Sequence, residues 1–279
     1  MIHIENLNFR YKHRPVLFDG LNLSLKGGHI YGLLGLNGAG KTTLLKIAMG
    51  MLFPKNGSCR VLDNESRERQ PAMLADMMFV PEEFYAPDMT ISRYVKLYSL
   101  FYPSFNHEQF QTYMKELELT ECDNFKSFSL GQKKKAILAF ALAANTRVLL
   151  MDEPTNGLDI PSKAQFRRML ASVATDDRCI LISTHQVRDV EKLIDAVIIL
   201  DNGQITINKS IEEITSKISF HIVTELSGQE IYSENSIEGY RAVLQNNGEE
   251  PTQIDLEVLF NAAMSNRQTI QKIINQKII

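Results

Sequence analysis

Cysteine and long hydrophobic segments are both scarce in this chain. Its 279 residues include three widely spaced cysteines without a CxxC pair, so we expect reduced thiols and no structural zinc site. The longest apolar run, residues 136–144, is too short to cross a bilayer and predicts a buried helix. Residues 1–6 lack a basic segment followed by an apolar one, which argues against a secretory signal and predicts a cytosolic location.

Positively and negatively charged residues are nearly balanced. The chain has 30 Lys and Arg residues against 33 Asp and Glu residues, a net charge of −3, so nucleic acid is not an expected partner. Three consecutive lysines at 133–135 are the one cationic run. We interpret this run as the solvated face of a helix, with attraction to phosphates or to an acidic loop as the alternative. The length and the 44% hydrophobic content suit one large α/β domain with an extension.

A glycine-rich loop is the most specific pattern that the chain does contain. Residues 35–42 read Gly-Leu-Asn-Gly-Ala-Gly-Lys-Thr and fit the phosphate-loop pattern GxxxxGK[ST]. The loop lies between a predicted strand at 30–34 and a predicted helix at 42–48, which argues against a chance glycine-rich turn. Backbone amides and the helix N-terminus would converge on a phosphate. The predicted nucleotide-binding residues are Gly35, Leu36, Asn37, Gly38, Ala39, Gly40, Lys41, Thr42 and Thr43.

Two acidic residues end a second apolar run. Residues 148–153 predict a buried parallel strand that delivers Asp152 and Glu153 to the carboxyl edge of the sheet. Asp152 and the Thr42 hydroxyl would hold Mg²⁺, Lys41 would bind the β- and γ-phosphates, and Glu153 would polarise the attacking water. The alternative is that the two acids cap the next helix, but the turn at 154–157 comes first.

A third motif points to a family. Residues 128–132, Phe-Ser-Leu-Gly-Gln, precede the acidic strand and resemble the LSGGQ signature of ATP-binding-cassette (ABC) proteins. The resemblance extends from the first residues to about Gly203, with motifs in the order and at the spacing of the family. It identifies Ser129, Gly131 and Gln132 as nucleotide-binding residues. Ser129 would cap a helix that begins near Gly131, and the helix N-terminus would form an anion site.

The resemblance implies further site residues and a paired arrangement. Tyr11 matches the aromatic residue that stacks on adenine, although Phe9, Tyr11 and Phe18 could all be core aromatics. Asp159 matches the loop that contacts a second cassette, and His185 matches the switch histidine at the γ-phosphate, although a lone histidine after a strand is more often structural. In the family, the signature of one cassette closes on the ATP of the other.

Two positions depart from the family pattern. Glu82 stands where the family usually has a Gln that links Mg²⁺ and the attacking water to the helical subdomain. Glu82 would still ligate the metal through one oxygen, or it would retune metal affinity and slow hydrolysis by crowding carboxylates. Leu130 replaces the first signature glycine. We expect ATPase activity to survive both changes.

The resemblance also implies the fold class. We expect an α/β P-loop NTPase cassette with a RecA-like parallel-sheet core, an N-terminal antiparallel β subdomain (strands at 2–9 and 16–25), and an inserted helical subdomain at about 83–145. The cassette would span 1–215, and 216–279 would be a small α+β extension of unknown role. In the extension we expect strands at 220–224 and 241–244 and a helix at 256–264. Residues 226–229 imitate the signature but are interpreted as a turn.

The helical subdomain contains an aromatic-rich stretch. Its helices are expected at 92–101, 108–117 and 131–144, and the stretch resembles that of bacterial exporter cassettes, where the nearby surface receives a membrane subunit. The favoured alternative is that most of the aromatic residues fill the core of the subdomain. The stretch comprises Tyr94, Tyr98, Phe101, Tyr102, Pro103 and Phe105.

The function implied is that of an ATP-hydrolysing ABC transporter subunit on the cytoplasmic face of the inner membrane. Its cofactors would be ATP and Mg²⁺, and its partners a transmembrane permease and a second cassette, as a homodimer, with export as the favoured direction. One alternative is a soluble ABC ATPase with a non-transport partner, although neither a second cassette nor a coiled-coil insertion is present. Another is a degenerate cassette that binds ATP without useful hydrolysis, for which Glu82 is the best support.

Overall fold

The computed structural model describes residues 1–248 and 250–275, which contain thirteen strands and ten α-helices. The strands are β1 (Ile2–Arg10), β2 (Val16–Leu25), β3 (His29–Leu34), β4 (Asn56–Val61), β5 (Asn64–Glu65), β6 (Met77–Val80), β7 (Val148–Asp152), β8 (Cys179–Thr184), β9 (Ala196–Asp201), β10 (Gln204–Ser210), β11 (Ile218–Val223), β12 (Tyr232–Ser236) and β13 (Gly239–Gln245). The helices are α1 (Lys41–Ala48), α2 (Pro71–Leu74), α3 (Ile91–Tyr98), α4 (His107–Glu116), α5 (Leu130–Ala143), α6 (Ile160–Ser172), α7 (Val187–Val190), α8 (Ile211–Thr215), α9 (Leu256–Ser265) and α10 (Arg267–Asn275).

An antiparallel sheet forms the N-terminal part, in the strand order β2-β1-β4-β5. Alternate residues of β1, such as Ile2 and Ile4, are buried, and Ile2 pairs with Leu25 of β2 and with Val61 of β4. This period of two is what a half-buried strand requires, because successive side chains point to opposite faces. The two strands expected here from the sequence are confirmed.

The central sheet brings the predicted motifs to one edge. Its order is β10-β9-β3-β8-β7-β6, with β10 antiparallel to β9 and the other five strands parallel. The strands β3, β7 and β8 are neighbours and almost fully buried, as expected for a sheet covered on both faces. Since the phosphate loop, Glu153 and His185 each directly follow one of these strands, they meet at the carboxyl edge of the sheet.

A cluster of aromatic rings fills the helical region between β6 and β7. Phe140 of α5 is almost fully buried, and its ring lies 4.9–6.5 Å, centroid to centroid, from four other rings, those of Tyr94, Tyr102, Phe105 and Phe110. The alternative reading of the aromatic stretch, as core, is therefore confirmed for its three members in this cluster.

The other aromatic side chains of this stretch face solvent. Tyr98 is 40% exposed and Phe101 is 66% exposed, and the neighbouring Leu97 and Leu100 are exposed as well. These four residues form what we call the helical-subdomain patch. Monomeric proteins rarely leave adjacent large apolar side chains in water without a partner.

The C-terminal part forms a third sheet, in the order β11-β13-β12. Its strands β11 and β13 and the helix α9 were expected from the sequence and are confirmed, whereas β12 was missed. Residues 226–229 lie between β11 and β12, where Ser227 and Gly228 donate backbone amides to the Glu230 carboxylate, so they form a turn as expected. Residues 211–218 comprise α8 and the start of β11.

Helix α9 packs against the segment that follows β8. The Leu256 amide donates to Glu191, and Arg188 of α7 pairs with Glu257 at 2.8 Å. Val258 and Leu259 are buried in the same apolar cluster as Phe140. The C-terminal residues therefore complete the packing around the segment next to His185.

Two of the three thiols lie in the protein interior. Cys59 and Cys179 are buried, Cys122 is exposed, and all three are free. Burial raises the pKa of the Cys59 thiol to about 11 and that of Cys179 to about 12, so both stay protonated and unreactive at neutral pH. In the ranges 1–248 and 250–275, no helix combines the length and apolar character needed to cross a bilayer.

Candidate active site

The phosphate loop joins β3 to α1 through glycines that no other residue could replace without strain. Gly38 and Gly40 have positive φ angles of 82° and 107°. A Cβ on Gly35 would lie 2.7 Å from the Leu200 carbonyl oxygen, and one on Gly40 would lie 2.8 Å from the Phe18 ring. The loop is thus fixed by its neighbours, with the N-terminus of α1 open towards a ligand.

Lys41, the first residue of α1, lies inside this loop. Its side chain is 7% exposed, and its Nζ donates to the Gly35 carbonyl oxygen at 2.8 Å. The same nitrogen is 3.9 Å from Glu153 Oε1. Burial lowers the pKa of the ammonium, while the negative charges of Glu153 and Asp152 act in the opposite direction. A bound phosphate would supply the anionic partner that a buried ammonium needs.

A hydroxyl and a carboxylate lie side by side behind the loop. Thr42 Oγ1 donates to Asp152 Oδ2 at 2.6 Å, and Ser183 Oγ donates to the other carboxylate oxygen. Asp152 is almost fully buried, so these two hydroxyls fix its orientation. Mg²⁺ is usually held by one or two protein oxygen ligands together with substrate phosphates, and the Thr42–Asp152 pair fits that requirement. Ser183 was not predicted from the sequence.

Glu153 and His185 are in contact. His185 Nδ1 lies 2.8 Å from Glu153 Oε1, and the His185 amide donates to Oε2 at 3.4 Å. Glu153 is buried and has a positive φ angle of 46°, which is uncommon for a residue with a side chain. Strained backbone of this kind is concentrated at functional sites, where the surrounding structure stabilises it.

Glu82 reaches the site from the loop after β6. Its Oε1 accepts a hydrogen bond from Asn156 Nδ2 at 2.7 Å, and Asn156 Oδ1 accepts one from Gln186 Nε2 at 3.3 Å. This chain of contacts connects three loops, which follow β6, β7 and β8. Sequence reasoning missed Asn156 and Gln186, although each lies within three residues of a motif residue that it identified.

A cavity of about 590 Å³ lies next to Lys41, Thr42, Glu82 and Glu153. Tyr11 lies at its edge, 42% exposed, with Oη 3.0 Å from Thr43 Oγ1 and with its ring edge-on to Phe9. Arg14, which the sequence analysis did not select, also lines the cavity. The lining consists of Tyr11, Arg14, Pro15, Val16, Leu17, Asn37, Gly38, Gly40, Lys41, Thr42, Thr43, Glu82 and Glu153.

The signature residues lie on a different surface. Ser129 caps α5: its Oγ accepts from the Gln132 amide at 3.2 Å, and Gln132 Oε1 accepts from the Ser129 amide. Asp159 caps α6 by accepting from the Ser162 amide. Close packing at Gly131, where a Cβ would lie 3.3 Å from the Gly157 carbonyl oxygen, brings the two caps together. In the described chain, none of these residues lines the cavity.

Comparison with known proteins decides the family. Residues 18–156 match the sequence profile of the ABC transporter family. The uncharacterized ABC transporter ATP-binding protein YdbJ of Bacillus subtilis is 30% identical over 234 residues, which cover 82% of this chain and 75% of that protein. The chain belongs to the ABC transporter family. It is an ATP-binding subunit of that family and an ATPase.

Two other relatives of this ABC subunit carry functional names. The Nod factor export ATP-binding protein I of Ralstonia nicotianae is 30% identical, with 83% of this chain and 74% of that protein covered. The high-affinity zinc uptake system ATP-binding protein ZnuC of Bacillus subtilis is 28% identical, with 73% of this chain and 92% of that protein covered. The proteins similar to this chain therefore include one named for export and one named for uptake.

Solved structures establish the cassette fold expected from the sequence. The structure of an ATP binding subunit of an ABC transporter superposes with a TM-score of 0.68 at 22% identity, covering 76% of this chain and 91% of that one. The dimeric post-hydrolysis structure of the cassette MJ0796, bound to ADP and Pi, gives a TM-score of 0.66 at 21% identity, with 76% and 99% covered. The α/β class with a mostly parallel core sheet is thus confirmed.

The position of Tyr11 allows a test of its predicted role at the adenine base. Stacking of an aromatic ring on a base contributes about 1–3 kcal/mol, so Tyr11→Ala should raise the KM of the cassette for ATP by about 10-fold, with kcat nearly unchanged. Tyr11→Phe keeps the ring and loses only the contact with Thr43, and we expect it to stay within about 2-fold of the wild type. Steady-state ATPase kinetics measure both. Equal KM values for the Ala and Phe variants would show that the ring does not bind the base.

Proposed function

We propose that this cassette hydrolyses ATP in a head-to-tail homodimer and that the resulting motion drives a separate transmembrane permease. One observation carries the proposal: the cavity of a single chain is lined by its phosphate loop and Glu153 but not by its signature residues. The capped N-terminus of α5, with Ser129 exposed, supplies hydrogen-bond donors suited to a phosphate. A second copy would bring these donors to the first copy's ATP.

The predicted site residues have separate proposed roles in hydrolysis. Lys41 and the loop amides bind the β- and γ-phosphates, and Glu153 acts as the general base that orients and polarises the attacking water. His185, which contacts Glu153 at 2.8 Å, holds that carboxylate and contacts the γ-phosphate. Asp159 contacts the second cassette.

Mg²⁺ is the proposed metal cofactor. Thr42 and Asp152 would hold it, because their oxygen atoms already lie 2.6 Å apart. The ion would neutralise negative charge that develops on the phosphate oxygens. Glu82 is proposed as a weaker ligand, because its carboxylate lines the cavity but one oxygen is bound to Asn156.

The helical-subdomain patch is the proposed contact with the permease, on the cytoplasmic face of the inner membrane. Leu100 is 80% exposed and Phe101 is 66% exposed, next to Leu97 and Tyr98. An apolar surface of this kind suits an apolar segment of a partner protein. We favour export as the direction of transport because of the aromatic stretch. The transported substrate would be set by the permease.

Affinity purification tests this function. A tagged Glu153→Gln cassette, purified from detergent-solubilised cells with ATP present, should bring with it a protein with several membrane spans, identified by mass spectrometry. Ribosomes or nucleic acid in its place would contradict the transport function and favour a soluble ATPase.

A matched variant tests the contact surface. The change of Leu100 and Phe101 to Asp, in the Glu153→Gln background, should lower recovery of the membrane protein by at least about 10-fold, because two charges would replace exposed apolar contacts. ATP binding should persist, since surface changes have little effect on the fold. Undiminished recovery would show that the permease binds elsewhere.

A further inference from the structure

The interpretation of residues 133–135 as a solvated helix face is wrong for the middle lysine. Lys134 is only 3% exposed, in the first turns of α5. Its Nζ donates to the carbonyl oxygen of Glu153 at 2.7 Å and to that of Glu82 at 3.4 Å. Burial of an ammonium is unfavourable unless nearby acceptors and negative charges stabilise it, so this placement needs an explanation.

The surroundings of Lys134 supply that stabilisation. Burial lowers the pKa of the ammonium, and the carboxylates of Glu82, Glu153 and Asp152 oppose this effect. Two of these residues, Glu82 and Glu153, also line the phosphate-binding cavity. A second buried cation, in addition to Lys41, therefore lies close to these carboxylates.

Lys134 also contacts the backbone at a strained position. The Glu153 carbonyl oxygen accepts from Lys134 Nζ at 2.7 Å and from the Asn156 amide at 3.2 Å. The Glu153 amide donates to the Ser183 carbonyl oxygen at 3.0 Å. These contacts surround Glu153, whose φ angle of 46° is unfavourable for a residue with a side chain.

We propose that Lys134 is a positioning residue for ATP hydrolysis. Its ammonium holds the backbone of Glu153 in the left-handed conformation and offsets the additional negative charge that Glu82 brings. This inference rests on the proposed function, in which Glu153 is the general base. It also explains how a cassette with Glu82 in place of Gln tolerates a third carboxylate beside Asp152 and Glu153.

The position of Lys134 in the chain gives this contact a second consequence. It lies on α5, five residues after Ser129, the cap of the same helix. In the proposed dimer, Ser129 contacts the ATP held by the partner, whereas Lys134 holds the general base of its own chain. Closure of α5 on the partner's ATP would therefore also affect the contact between Lys134 and Glu153 of this chain.

The test compares Lys134→Met with Lys133→Met, its neighbour on the same helix. Methionine is similar in length but has neither charge nor donor, and misplacement of a catalytic group by about 1 Å costs up to about 100-fold. We expect Lys134→Met to lower kcat by about 10- to 100-fold, with the KM for ATP within about 2-fold of the wild type. Lys133→Met should retain the wild-type kcat. A wild-type kcat for Lys134→Met, or an equal loss in both variants, would overturn the proposal.

A double variant separates positioning from a general loss of structure. If Lys134 acts through Glu153, Lys134→Met should change the residual turnover of Glu153→Gln by less than about 2-fold, because effects through a shared partner are not additive. A further loss of 10-fold or more would overturn the proposal. If Lys134→Met does not fold, Lys134→Gln replaces it, with an expected loss of at least about 5-fold because the amide is shorter and neutral. A folded Lys134→Gln with wild-type kcat would overturn the proposal as well.

Failure of this inference differs from failure of the proposed function. Glu153→Gln with wild-type turnover would remove the general base from the mechanism and contradict the function. Slow turnover of Glu153→Gln together with fast turnover of Lys134→Met would leave the function intact and overturn only the role of Lys134.

Discussion

Glu153→Gln should bind ATP normally and hydrolyse it about 10²- to 10⁴-fold more slowly than the wild type. That range is the usual contribution of a general base. The amide is nearly isosteric with the carboxylate, so its contact with His185 and the fold around it should persist. It can no longer accept a proton from the attacking water. Because hydrolysis would be slow, the ATP-bound homodimer should accumulate.

Two measurements check this result. Steady-state phosphate release gives the turnover, and size-exclusion chromatography with ATP and Mg²⁺ gives the dimer fraction. Glu83→Gln is the matched control, because Glu83 is exposed and adjacent to Glu82 in the chain. It should hydrolyse ATP at the wild-type rate and elute as the wild type does. Turnover of Glu153→Gln close to the wild-type value would show that another group activates the water.

Phe140→Ala should destabilise the cassette by about 3–5 kcal/mol, the cost usually found when a fully buried Phe is truncated. The Phe140 ring is 1% exposed and contacts four aromatic rings of α3, α4 and the connection between them. These rings are held by several elements, so they cannot all move into the space that the missing ring leaves. A cavity in the centre of the helical region is the expected result.

Urea denaturation followed by circular dichroism measures this loss. Phe101→Ala removes an identical ring from the same region, but one that is 66% exposed. Its effect should stay within about 0.5 kcal/mol, as is usual for surface changes. Similar shifts in the two variants would show that the Phe140 cluster does not support the fold.

The parts of the site that could be predicted from the sequence are those that local chain geometry determines. The phosphate loop needs glycines at fixed spacing, and Lys41 and Thr42 follow them at the start of α1, so eight consecutive residues define the arrangement. Asp152 and Glu153 were also identifiable, because a buried strand that ends in two acids is rare without a functional reason. The cap at Ser129 was predicted from helix-capping preferences, whereas Asp159, which caps α6, was selected only through the family resemblance.

The contacts that sequence reasoning missed join residues far apart in the chain. Glu82 is bound to Asn156, 74 residues away, and Asp152 to Ser183, 31 residues away. Such pairs depend on the order of strands in the sheet, which no local pattern records. Lys134 was misjudged for a related reason: a run of lysines is usually solvated, and only the packing of α5 against the carboxylate edge shows that one of them is buried.

The packing of α9 against the segment beside His185 bears on synthesis of the protein by the ribosome. Chains emerge at about 5–20 residues per second, and N-terminal parts fold first. The contacts of Leu256 and Glu257 with Glu191 and Arg188 cannot form until α9 has left the exit tunnel. Because Leu256 lies 214 residues after Thr42, a nascent chain would carry a complete phosphate loop for about 10–40 seconds before the segment beside His185 is held in place.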